Sequence, residues 1–207
     1  PYSRTVSEII NDIEKHNVEL LSTTPTFLRM LTMDQDLNVN RLKSLKIITY
    51  GSEIMDENTL KRLNKFFPNV TIKQTYGMSE ISILRVKPEG NKSLWIKIDS
   101  KELQTKIIKK VLYIKSKKKM FGYLNNKSPF DKSGWYNTND LVDKKGNFIK
   151  IIGRSKNIIS IGGLKILPSE IERIALKHPL IKNVKAKGIK NPITGQHIEI
   201  VCEPQKK

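Results

Sequence analysis

An α/β fold is the class this sequence predicts: a layered domain with a parallel sheet, a small β subdomain, and the start of a small α+β domain. Three observations predict it. Strand and helix periodicities alternate over roughly the first 75 residues. From about residue 81 the texture changes to short apolar runs broken by Pro88, Gly90 and Gly122. Near the end, a helix opened by Pro168-Ser169-Glu170 stands between strand patterns.

Thr5 and Glu8 are spaced as a capping box, and Val6, Ile9, Ile10 and Ile13 recur at helical spacing, so a helix is expected over 6–16. Val18–Leu21 reads as a buried strand, Ser22–Pro25 as its exit loop, and Thr26–Leu31 as a helix with Pro25 in its first turn. Leu45–Tyr50 is a strand stopped by Gly51-Ser52-Glu53. Asp56 caps a helix whose inner face is Leu60, Leu63 and Phe67, and Val70–Thr75 is the next strand, leaving through Tyr76-Gly77. Strand–helix–strand succession predicts parallel pairing, and ligands gather at the carboxyl edge of such sheets. Further on, Gly134–Asp140 reads as a loop, Lys144–Asn147 as a hairpin turn, and Phe148–Ile152 and Ile158–Ile161 as strands. The helix after Pro168 is expected to turn Ile171, Ile174 and Ala175 inward; Val184–Ile189 and Ile198–Cys202 read as strands, with Cys202 a core thiol.

The composition is that of a globular chain, with 38% hydrophobic and 28% charged residues among 207. No apolar run reaches the length of a membrane span of about 20 residues. One cysteine excludes an internal disulfide and a cysteine-based zinc cluster, and a cytoplasmic location fits. The net charge of +18 raises nucleic acid as a partner. Against it, only seven of the basic residues are arginine, and the dense run Lys115-Ser116-Lys117-Lys118-Lys119 has no interleaved aromatic for base stacking, so it reads as solvated surface. The chain opens on Pro1 and stops just after a strand pattern, so a partial gene product is expected.

The chemistry-bearing stretch is Gln74-Thr75-Tyr76-Gly77-Met78-Ser79-Glu80. It offers a ring to stack on a base, a hydroxyl for a phosphate oxygen and a carboxylate for the magnesium that accompanies a polyphosphate. Gly51-Ser52-Glu53 exits at the same expected sheet edge. Two later stretches add Gly134-Trp135-Tyr136-Asn137-Thr138-Asn139-Asp140-Leu141, and Gly153-Arg154-Ser155-Lys156 running on through Gly162-Gly163-Leu164-Lys165-Ile166 to Pro168-Ser169-Glu170-Ile171-Glu172.

In this order and spacing, these stretches resemble the adenylate-forming (AMP-binding) superfamily, which includes acyl-CoA synthetases, luciferases and peptide-synthetase adenylation domains. The resemblance covers about residues 18–203. It implies a reaction in two steps. A carboxylic acid attacks ATP to give an acyl-adenylate and pyrophosphate, and a thiol, usually coenzyme A, then takes the acyl group. It implies that Tyr76 stacks on adenine, that Gly51, Ser52, Glu53 and Gly77 line the nucleotide, and that Ser79 bonds the α-phosphate. It further implies that Glu80 holds Mg2+, that Asp140 accepts from the ribose hydroxyls, and that Arg154 reaches ribose or phosphate. Residues 1–153 would be the second half of the large domain and 154–207 the start of a mobile lid, with Lys156 at the hinge and Gly162 and Gly163 on the CoA side.

The run Gly162–Glu172 is closer to CoA ligases, with fatty acid metabolism as one setting. A module that loads a carrier protein and a non-catalytic nucleotide-binding relic stay open as alternatives. Phe27, Leu28, Met30 and Met78 lean towards a fatty or aromatic acid as substrate, but read first as ordinary helix core. The family's glycine- and Ser/Thr-rich phosphate loop and the catalytic lysine late in the lid are not among these residues, so the chain alone is expected to be inactive. Asn139 stands where the family has glycine, which predicts an altered ribose loop.

Overall fold

The computed structural model describes residues 5–34, 37–98 and 103–204. In chain order the elements are α1 Val6–His16, β1 Leu20–Thr23, α2 Pro25–Met33, β2 Ile47–Tyr50, α3 Glu57–Phe66, β3 Thr71–Gln74, β4 Tyr76–Met78, β5 Ser82–Leu84, β6 Val86–Pro88 and β7 Ile96–Ile98. They continue with β8 Leu103–Ile108, β9 Val111–Ser116, β10 Tyr136–Lys145, β11 Phe148–Arg154, β12 Ile159–Ile161, β13 Leu164–Ile166, α4 Pro168–Ala175, β14 Ile181–Asn191 and β15 Gly195–Pro204. Two compact units result: one holds the described residues up to Tyr76 together with Arg85–Lys97, the other Gly77–Leu84 and the described residues from Ile98 on.

In the first unit β1, β2 and β3 form a parallel sheet with β2 in the centre. The register aligns Thr23 with Tyr50 and Tyr50 with Gln74, so all three strands end on one line. The helices begin as their caps dictate. Thr5 and Glu8 close the expected capping box, Thr24 accepts from the Phe27 amide and Asp56 from the Thr59 amide. Their apolar faces meet in one core that includes Ile10, Ile13, Leu28, Leu31, Ile48, Leu60, Leu63 and Phe67. Leu28 is therefore a core residue, while Met30 on the same helix is exposed. The first strand starts two residues later than its apolar run. Val18 and Glu19 serve as its approach, where the Glu19 carbonyl accepts from the Lys46 and Ile47 amides.

The second unit contains the antiparallel run β8–β9–β10–β11. Lys109 and Lys110, both left-handed at φ 49° and 65°, make the β8–β9 turn. Here one expectation is corrected: Tyr136–Asp140 is not loop but the first half of a ten-residue strand. Its polar side chains disguise it, since Asn137 faces solvent while Thr138 and Asp140 are buried, the Thr138 hydroxyl bonding the Leu112 carbonyl and the Asp140 amide.

Two further corrections concern the C-terminal elements. Ile174 lies exposed on α4 instead of inward, because the helix meets β14 through Glu172, whose carboxylate accepts from the Ala186 amide at 3.0 Å. Cys202 is exposed and not a core thiol. β14 and β15 form a two-stranded hairpin that buries Val184 and Ala186, while Ile200, Val201 and Cys202 remain exposed on β15.

Candidate active site

Tight packing shapes the carboxyl edge of the parallel sheet. The Gly51 amide donates to the Thr23 carbonyl at 3.3 Å, and both the amide and the hydroxyl of Thr75 donate to the Tyr50 carbonyl, at 2.7 and 3.0 Å. A Cβ on Gly51 would fall 2.4 Å from the Thr75 hydroxyl, so a side chain here would displace that hydroxyl from the Tyr50 carbonyl. Ser52 turns the chain with φ 68°, and Glu53 then reaches back to α2, accepting from the Thr26 amide at 3.0 Å and hydroxyl at 2.6 Å. That carboxylate sits on the N-terminal turn of a helix, where negative charge is favoured. Burial pushes the Tyr50 phenol well above its ordinary value. Tyr76 closes this unit and is 7% exposed.

In the second unit, β4 and β5 form a short ribbon whose turn presents Ser79 and Glu80. Gly77 is required there, because a Cβ would lie 2.6 Å from the Ile83 Cα and 2.7 Å from the Ser82 carbonyl oxygen. Ser79 is exposed and Glu80 half-buried. The Glu80 carbonyl accepts from the Met120 amide at 3.0 Å, and its Oε1 accepts from the Tyr123 hydroxyl at 2.5 Å. Desolvation raises the Glu80 pKa, but the hydroxyls of Tyr123 and Tyr136, its own amide and the charge of Arg154 outweigh it and leave it below the ordinary value. Glu80 is thus a carboxylate at neutral pH. Tyr136 is pushed up by burial and by Glu80, and Tyr123 by its bond to Glu80.

Asp140 lies directly opposite Arg154 in the β10–β11 register, and the Arg154 Nε donates to its carboxylate at 3.1 Å. The aspartate side chain is 5% exposed and the arginine 61%, so a buried anion faces a solvated cation. Thr138 sets this arrangement: its hydroxyl donates to the Leu112 carbonyl at 2.7 Å and accepts from the Asp140 amide at 3.0 Å. Asn139, between them, takes φ 58°, a left-handed conformation that glycine favours and asparagine tolerates better than most residues. Asn139 is thus held in a conformation that is open to glycine as well. The strand register shifts on both sides of this segment, which aims Asp140 and Arg154 without ending the sheet.

The other expected positions lie further along the second unit. Lys156 is exposed in a 3-10 turn, Ser155–Asn157, directly after β11. Gly162 and Gly163, at φ 53° and 92°, form the turn between β12 and β13, and the Gly162 amide donates to the Thr194 carbonyl. The structure brings Glu80 into contact with Tyr123 and Tyr136, and Asp140 with Arg154. Lys156 follows Arg154 by two residues, and the glycine turn belongs to a separate hairpin. Tyr123 and the hydroxyl of Tyr136 were not singled out from the sequence; Tyr136 stands in the Gly134–Leu141 stretch, whereas Tyr123 gives no signal of its own. Among the described residues no cluster of three or more His, Cys, Asp or Glu could hold a metal ion, and no helix is long and apolar enough to cross a membrane.

A family model described as "AMP-binding enzyme" matches residues 2–97. The phenylacetyl-CoA ligase epaB of Aspergillus niger is 28% identical over 204 residues, which cover 87% of this chain and 38% of that protein. The mitochondrial medium-chain acyl-CoA ligase ACSF2 of Mus musculus is 32% identical over 168 residues, 78% of this chain and 26% of the relative. This chain therefore spans well under half the length of these relatives. The crystal structure of the anthranilate CoA ligase AuaEII in complex with anthranoyl-AMP superimposes with a TM-score of 0.80 at 15% identity, over 99% of this chain and 43% of the other. An ATP-bound RpMatB-BxBclM chimera gives 0.82 at 18%, over 99% and 44%. At such identities the likeness speaks for the fold, which in both covers nearly the whole of this chain. The family model and the sequence relatives place the chain in the adenylate-forming superfamily of AMP-binding enzymes.

Proposed function

We propose that this chain is the nucleotide-gripping portion of an AMP-forming acid–CoA ligase, which activates a carboxylic acid as its acyl-adenylate and passes the acyl group to coenzyme A. The observation that carries this reading is the Asp140–Arg154 pair, a buried carboxylate opposite a solvated guanidinium at a deliberate irregularity of the sheet. A fixed carboxylate accepts two hydroxyl donors well, which suits the vicinal hydroxyls of a ribose. Arg154 then lies within reach of ribose or phosphate oxygens as a permanent cation.

In this reading Ser79 donates to the α-phosphate, Gly51, Ser52, Glu53 and Gly77 line the nucleotide, and Tyr76 meets adenine once its ring is uncovered. Glu53 acts through α2, since its carboxylate is already engaged there. Glu80 suits magnesium: it is a single ionised carboxylate, and this cation commonly takes one or two protein carboxylates and fills its other positions with phosphate oxygens and water. Bound there, magnesium would neutralise charge on the leaving pyrophosphate. No protein nucleophile is required, because the acid itself attacks; the protein positions the reactants and stabilises charge. Lys156, in the exposed turn after β11, is the proposed pivot of a lid that starts at residue 154, and the Gly162-Gly163 turn its CoA side.

Several relatives are named CoA ligases, which favours coenzyme A over a carrier protein as acceptor. Their printed names span phenylacetyl, medium-chain acyl and nicotinic acid, so the acid itself is left as a carboxylic acid. The test is ATP affinity by calorimetry, with pyrophosphate release over a panel of acids for the protein that carries these residues. Asp140→Ala should weaken ATP binding at least about tenfold, the worth of lost hydrogen bonds to a charged group. Unchanged affinity in Asp140→Ala and in Arg154→Ala would refute the reading.

A further inference from the structure

We propose that Tyr123 and Tyr136 are positioning residues for Glu80: two phenol hydroxyls, one from the loop after β9 and one from β10, converge on its carboxylate and fix the direction in which it meets a cation. The inference rests on the reading of Glu80 given above and adds residues to it.

The geometry supports the clamp from three sides. Tyr123 donates to Oε1 of Glu80 at 2.5 Å, across 43 residues of sequence. The Met120 amide donates to the Glu80 carbonyl at 3.0 Å, so one loop holds both the backbone and the side chain of this residue. Tyr136 approaches the same carboxylate from a strand, and its ring packs on Phe130 at 5.7 Å, near the loop's far end. Apolar burial does not hold the near end of the loop. Phe121 and Leu124, on either side of the Gly122-Tyr123 pair, are fully exposed, and Tyr123 itself is 46% exposed. The attachment near Tyr123 is therefore polar, and it ends on the one carboxylate of the Ser79-Glu80 turn.

The stoichiometry also fits. An ionised carboxylate offers about four lone-pair sites. The Tyr123 phenol occupies one of them, and with the Tyr136 hydroxyl close by the rest keep a fixed direction. A carboxylate held this way needs no reorganisation when a metal–nucleotide arrives, whereas a free glutamate must give up its rotamer freedom.

The test uses Tyr123→Phe and Tyr136→Phe, which keep both rings and delete only the hydroxyls. The first readout is amide hydrogen exchange at Met120 in the full chain. Tyr123→Phe and Glu80→Gln should each speed it, by about tenfold for a charge-assisted hydrogen bond. The double variant should be no faster than either single one. The second readout is binding of ATP with manganese and of ATP without metal. Each Tyr→Phe variant should weaken the manganese complex about tenfold and leave metal-free ATP unchanged. Equal effects on both forms of ATP, or additive exchange rates at Met120, would overturn the clamp. If the unaltered chain binds neither form of ATP, the ligase reading fails, and the clamp is then decided by the exchange cycle alone.

Discussion

Replacing Asp56 with alanine removes two things at once, and their sizes can be separated. Asp56 is the N-cap of α3: its Oδ1 accepts from the Thr59 amide at 2.9 Å and its Oδ2 from the Thr59 hydroxyl at 2.7 Å. It also takes the Arg29 guanidinium from α2, with Nη2 at 2.9 Å and Nε at 3.3 Å. The two side chains are only 12% and 11% exposed. Loss of the cap costs about 1 kcal/mol. Leaving the guanidinium without this partner costs about 3–5 kcal/mol more. Arg62, whose pKa is lowered by its own desolvation and by the charge of Arg29, makes the site more cationic still once Asp56 is gone.

The first unit of Asp56→Ala is therefore expected to lose about 4 kcal/mol or more. Arg29→Met in the Asp56→Ala background should recover a large part, because a buried guanidinium that has lost Asp56 is then replaced by an apolar chain. Urea unfolding reads this out. Trp95 lies in the first unit and Trp135 in the second, so a Trp135→Phe background leaves fluorescence from the first alone. If the single and double variants unfold at the same urea concentration, the buried-charge argument is wrong. The pH dependence gives a second check. Burial raises the Asp56 pKa, but the Thr59 bonds and the Arg29 charge bring it below the ordinary value. The folded state then binds fewer protons than the unfolded one. The stabilisation is complete above an unfolded value of about 4 and is lost as pH falls through the folded value. Asp56→Ala should flatten that part of the acid limb.

Two further substitutions probe the backbone of the proposed site. Gly77→Ala places a Cβ against the backbone of Ser82 and Ile83, which cannot rotate aside, and should destabilise the β4–β5 ribbon by about 1–3 kcal/mol; an unchanged midpoint for the Trp135 signal counts against the clash. Asn139→Gly should be tolerated within about 0.5 kcal/mol, whereas Asn139→Val, β-branched at a positive φ, should cost about 1–3 kcal/mol. The same valine should weaken ATP binding by displacing Asp140, and a valine variant with normal stability and affinity would show that this conformation carries no consequence.

The elements that the sequence displayed best are those whose period and caps agree. Along α1 to β3, every helix begins at a side chain that the pattern supplies, and the apolar positions form one core. Legibility fell where burial is one-sided. Ile174 and Cys202 have the hydrophobicity of core residues, but a short helix and a two-stranded hairpin cover only one face of each other, and spacing alone does not say which face. It fell again over Tyr136–Asp140, where a strand is built from polar residues. There the buried positions are polar, Thr138 and Asp140, tied through the Thr138 hydroxyl, and a hydropathy pattern has nothing to detect.

The contacts of Glu80 belong to a third kind. A motif gives the residue but not the loop that holds it, since Tyr123 lies 43 positions away and carries no spacing signal of its own. Asn139 is a different case, since a departure from a motif does not by itself give the backbone at that residue. What the position needs is a left-handed backbone, and glycine is one way to supply it. Asparagine supplies it too, its side-chain amide donating to the Asn137 carbonyl at 3.3 Å and its side-chain oxygen accepting from the Ser155 hydroxyl at 3.4 Å. The substitution trades glycine's freedom for two anchoring bonds, and a change read as a loss fixes the turn that aims Asp140.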